Sequence, residues 1–103
     1  MVNTLNLLKE NVYQVTSIKV QEITSGYFKV SVISEEETEH FVTIDQDFLN
    51  RFIEYKVAPK NIIKHSFEFL LDREPNTSIL KEFNIKVIGS YFPEYPKAVI
   101  KYF

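Results

Sequence analysis

The sequence predicts a single α+β domain, a three-stranded antiparallel meander followed by about four short helices packed on one face. Three observations carry that expectation. The chain has 103 residues, a length that supports one hydrophobic core and no second. Up to Asp45, β-branched residues alternate with polar ones; beyond it, apolar residues recur three and four apart, which is the change from a period of 2 to one of 3.6. The parts are therefore an N-terminal extension over 1–11, a meander over 12–44 and a helical part over 45–103.

In the extension, Leu5, Leu7 and Leu8 suit a short helix or an added edge strand. The first strand runs from Tyr13 to Thr24 with Val15, Ile18, Val20 and Ile23, and its alternation slips at Thr16-Ser17 and again before Ile23, as at a β-bulge. Ser25-Gly26 reads as a tight turn. Phe28, Val30 and Val32 then alternate with Tyr27, Lys29 and Ser31, and Glu35-Glu36-Glu37 forms a solvated link. The third strand returns over Glu39 to Ile44, with His40, Val42 and Ile44 on one face and Phe41 and Thr43 on the other.

Asp45 has the character of a helix N-cap, followed by Phe48, Leu49, Phe52 and Ile53 in a helix to about Tyr55. Pro59 opens a second helix through Leu71, with Ile62, Ile63, Phe67, Leu70 and Leu71 inside and Lys60, Lys64, Glu68 and Asp72 outside. Beyond Pro75, Asn76 or Thr77 caps a short third helix carrying Ile79, Leu80 and Phe83, which Asn84 ends while capping the next. Ile85, Val87, Ile88, Tyr91 and Phe92 follow at helical spacing, interrupted by Gly89, and Pro96 starts a last helix with Val99, Ile100 and Phe103.

Composition excludes several classes of function. There is no cysteine, which removes disulfides, thiolate nucleophiles and cysteine-ligated metal centres. Met1 to Glu10 lacks the basic cluster and apolar run of a secretory signal, and no stretch approaches the length of a spanning helix. A cytoplasmic location away from the membrane is the expectation. Residues 1–50 carry three Lys against eight acids, for −5, and 51–103 carry nine Lys/Arg against six acids, for +3, giving the chain its −2. A pI near 5.7 disfavours a nucleic-acid partner. The anomaly is aromatic: nine Phe and six Tyr without a Trp.

Each motif with catalytic potential also has a structural reading. Asp45-Gln46-Asp47 has the spacing of a divalent-cation pair, but at a strand-to-helix join it reads as a cap and a first-turn acid. His40 and His65 are the only histidines, too few for a catalytic zinc without borrowed carboxylates; no metal or cofactor is expected. His65, Glu68, Asp72 and Arg73 line one stretch of helix that could perform acid–base chemistry or hold a small ligand. Ser66 points about 100° away from His65 on a helix, so the two form no dyad. Asp72-Arg73-Glu74-Pro75 reads as a charged staple at a helix exit. Tyr91-Phe92-Pro93-Glu94-Tyr95-Pro96 is the most distinctive stretch, rings held by prolines around one acid. It reads either as a clasp for a partner or as a turn pinning the last helix.

The segments Ser66-Phe67-Glu68-Phe69-Leu70-Leu71-Asp72-Arg73-Glu74-Pro75, Ser78-Ile79-Leu80, Phe83-Asn84-Ile85 and Tyr91-Phe92-Pro93-Glu94-Tyr95 resemble a pattern in short bacterial proteins of unassigned function. The resemblance extends over roughly residues 12–95 and implies a bacterial, cytosolic stand-alone domain; it transfers no activity and no site residues. The leading expectation is thus a small non-enzymatic interaction or regulatory module that binds a protein partner or itself. Its surface would be Tyr91, Phe92, Glu94 and Tyr95 or an open sheet edge. The alternative is a small-ligand or metal-assisted enzyme on His65, Glu68, Asp72 and Arg73.

Overall fold

A computed structural model describes residues 17–103, so the expectations for residues 1–16, including the start of the first strand, lie outside the described residues. Three antiparallel strands, β1 (Ser17–Thr24), β2 (Tyr27–Ile33) and β3 (Glu37–Thr43), form the meander. The register of β1 on β2 shifts between Glu22 and Thr24, at the second of the two slips in the sequence pattern. Gly26 holds the first turn at φ +79, and a Cβ there would stand 3.1 Å from the Ile44 carbonyl oxygen. This close approach has a cause, since Ile44 N–H donates to the Gly26 carbonyl at 2.9 Å and ties the end of β3 to the turn.

A fourth strand corrects the expected three. Glu82–Asn84 is β4, not part of a helix, and pairs parallel to β3 with Phe83 opposite Val42, completing a mixed sheet of order β1-β2-β3-β4. Ile79, Leu80 and Phe83 are spaced as on a helix, but three residues are too few to display either period. Parallel pairing needs a long crossover, and residues 44–81 supply it.

Within that crossover, α1 (Gln46–Leu49) continues as a 3-10 turn over Asn50–Tyr55, which ends at Lys56 in the left-handed region with φ 54. Asp45 occupies the N-cap position, yet its side chain makes no cap hydrogen bond. Instead it accepts from Asn84 Nδ2 at 3.2 Å and pairs with Lys86 Nζ at 2.9 Å, cross-linking the ends of β3 and β4. These two partners, Lys86 first, hold the Asp45 carboxyl below its ordinary pKa.

Helix α2 (Pro59–Leu71) has Pro in its first turn and buries Ile62, Ile63, Phe67, Leu70 and Leu71 as the spacing predicts. Ser66 and Phe69 are buried too, because the helix is enclosed on a second side. The chain passes through a 3-10 turn (Asn76–Ser78), β4, α3 (Val87–Tyr91) and α4 (Tyr95–Ile100), and α4 packs along α2. One sheet face meets these helices through Phe28, Val30, Val32, His40 and Val42, each with zero exposure. The other carries the stacked Tyr27 and Phe41 rings and the Lys29–Glu39 pair.

A buried polar chain fastens β4 to β3. His40 Nδ1 donates to the Leu80 carbonyl at 2.8 Å, and Nε2 accepts from the Thr38 hydroxyl at 2.8 Å. The Thr38 oxygen takes Asn76 Nδ2 at 2.9 Å, and the same amide donates to the Glu36 carbonyl at 2.9 Å. Both imidazole nitrogens are used with the ring neutral, which suits a side chain at zero exposure. Burial is the main influence holding the His40 pKa below 6.5, with Lys81 adding to it against the hydrogen bond to Leu80.

Candidate binding groove

The distinctive Tyr91–Pro96 stretch is divided by the fold into surface, wall and core. Tyr91 is 68% exposed and Tyr95 fully buried, with half-buried Phe92 between them and Glu94 exposed. Tyr95 therefore does not belong to a partner surface, contrary to the expectation. Its ring stacks on Phe48 at 6.1 Å and lies 5.3 Å from Phe69. Its hydroxyl meets Ser66 Oγ at 2.5 Å, and burial pushes its pKa far above the ordinary tyrosine value.

Tyr91 and Phe92 instead border an apolar groove of about 210 Å³. Its floor comes from Leu70 at the end of α2, Ile79, Phe83 of β4 and Ile88 of α3, all buried. Leu80, 47% exposed, forms the rim with Tyr91. The turn of Asn76–Ser78 and the short β4 lead the chain past the end of α2, so Leu80 and Phe83 fall opposite α3, and the gap between them is the groove.

Glu74, the acid in the lining, sits one turn past α2 with its backbone N–H on the Leu70 carbonyl at 3.0 Å. Burial alone raises its pKa above 4.5. Arg73 braces the groove wall through Phe92. Its guanidinium lies 3.6 Å from the Phe69 ring centroid and 5.8 Å from that of Phe92. It donates to the Phe69 carbonyl at 2.9 Å and to Glu94 Oε2 at 3.4 Å.

The polar helix face is not assembled as one site. His65 Nδ1 meets Glu68 Oε1 at 2.6 Å, but Asp72 is exposed and Arg73 serves Phe69, Phe92 and Glu94. The His65 ring is covered by Tyr102, stacked at 4.3 Å, and edged by Phe103 at 5.4 Å; Phe103 in turn meets Phe52 at 5.8 Å. This cluster pins the C-terminal residues to α2. Among the described residues no group of three or more His, Cys, Asp or Glu is placed to hold a metal ion, and no helix is long and apolar enough to cross a membrane.

Sequence reasoning located Tyr91 and Phe92 but missed Leu80, Val87 and Glu74 as groove residues. Leu80 and Val87 have the spacing of core positions, and Glu74 has that of a helix-exit staple. The groove exists only because β4 turns the chain back, and no local pattern announces it. Comparison with protein-family models, curated proteins and solved structures finds no match to this chain, and the pattern resemblance over residues 66–95 rests on the sequence alone.

Proposed function

We propose that the protein is a non-enzymatic interaction module that accepts an apolar side chain of a partner protein in the groove between β4 and α3. The observation carrying this reading is the groove itself, with Leu80 and Tyr91 presenting large apolar side chains at its rim at 47% and 68% exposure. Exposed apolar surface around a recess is characteristic of recognition sites, and aromatic side chains there supply contact area at low entropic cost. At about 210 Å³ the recess is smaller than the roughly 300–1,000 Å³ that encloses a drug-sized ligand. One large side chain is the better match. The bacterial, cytosolic setting implied by the sequence resemblance forms part of the proposal.

The test compares the wild-type protein with a Leu80→Asp/Tyr91→Asp variant as bait, after circular dichroism and thermal melting have established that the variant is folded. A defined partner captured by the wild type and lost from the variant is the expected result. Retention of the same partner by the variant would place the interface elsewhere.

A further inference from the structure

Glu74 is a half-buried acid in a recess lined, apart from Ser78, by apolar and aromatic residues, and among the described residues no hydrogen bond or ion pair engages its carboxylate. Three other acids along this part of the chain have partners. Asp45 has Lys86 and Asn84, Glu68 has His65, and Glu94 has Arg73. A carboxylate drawn from water without a partner is destabilised, and an arriving cation relieves that cost. The cation beside it in sequence, Arg73, is committed to the Phe69 carbonyl, the Phe69 ring and Glu94.

Resting on the reading of the groove as a docking site, we propose that its occupant is a partner segment that seats an apolar side chain beside Leu80 and Tyr91 and pairs an adjacent Lys or Arg with Glu74. Charge complementarity selects this occupant over a purely apolar one. A Lys or Arg stem lies along apolar surface while its charged head reaches an acid, so both halves of the recess are used at once. The acid sets selectivity: a neutral residue in the same place leaves the carboxylate unpaired, and an acidic one opposes it directly.

The probes are three dipeptides, N-acetylated and C-methylamidated, with sequences Phe-Lys, Phe-Gln and Phe-Glu. They are titrated into the isotope-labelled full chain and followed by backbone amide shifts. The expected result is saturable shifts around Leu80, Phe83 and Tyr91. Phe-Lys should bind about five-fold tighter than Phe-Gln, as expected of a partly exposed ion pair, with Phe-Glu weakest. In Glu74→Gln, whose folding the same spectra report, the preference for Lys disappears. Equal binding of Phe-Lys and Phe-Gln at the groove, or a preference that survives in Glu74→Gln, overturns the selectivity and leaves the docking site standing. No groove shifts with any of the three overturns both.

Discussion

Ser66→Ala should destabilise the protein more than Tyr95→Phe, although both remove one hydroxyl from the same pair. Ser66 Oγ lies 2.7 Å from the Ile62 carbonyl and 2.5 Å from the Tyr95 hydroxyl. Serine has one hydroxyl proton and directs it to the carbonyl, so Tyr95 is the donor in the second bond. Both residues have zero exposure. Ser66→Ala therefore leaves a phenolic O–H buried without an acceptor, which costs about 1–3 kcal/mol. Tyr95→Phe removes the donor itself and leaves the bond from Ser66 to Ile62 intact, costing about 0.5–1.5 kcal/mol. In the double variant nothing remains to be left unsatisfied at that point. Its cost should fall below the sum of the singles by about 1 kcal/mol, outside the roughly 0.3–0.5 kcal/mol within which independent sites add. Urea unfolding followed by circular dichroism suits a domain of this size, where a loss of about 2 kcal/mol moves the midpoint by roughly 1 M. Additive costs, or Ser66→Ala no worse than Tyr95→Phe, would refute the assigned direction of donation.

Two further outcomes follow from the buried titratable groups. The folded pKa of His40 lies below 6.5, so the unfolded chain binds the proton more readily; the stability tied to the neutral ring is present above that value and is lost as pH falls through 6.5 toward the folded pKa. The urea midpoint of a His65→Asn protein should therefore drop between about pH 7.5 and 5.5, while a flat midpoint would contradict the buried neutral assignment. Glu74 has the opposite sign, with a folded pKa raised above 4.5, so its charged form weakens the fold at neutral pH and stability is regained as pH falls through the folded value. Glu74→Gln should accordingly melt higher than wild type at neutral pH. A lower melting temperature would show that the carboxylate has a stabilising partner in the free protein.

The elements most legible in the sequence are those whose signals agree locally. Pro59 at the first turn and the apolar spacing through Leu71 define α2. The alternation of Phe28, Val30 and Val32 defines β2 and its buried face. What escaped depends on contacts between distant residues. Asp45 is placed as a cap, but Lys86 and Asn84 draw its carboxylate away. Glu82–Asn84 becomes a strand because β3 has a free edge for it to join, and three residues cannot encode that in a period. Of the candidate site, Tyr91 and Phe92 were visible as unusual rings, while Tyr95 looked equivalent to them. Only the packing of α4 against α2 separates it, since that packing sends Tyr95 to Ser66 and leaves Tyr91 outside. The same packing accounts for Phe69, whose ring closes on Tyr95 and Phe92.

The central claim is that the recess between β4 and α3 receives an apolar side chain of a partner. Its most direct test is the set of intermolecular nuclear Overhauser effects from the ring protons of the bound Phe-Lys dipeptide. Contacts to the methyl groups of Leu80, Val87 and Ile88 are expected. Contacts confined to the Tyr102–Phe103 cluster or to the Tyr27–Phe41 sheet face would contradict the claim and move the site to that surface.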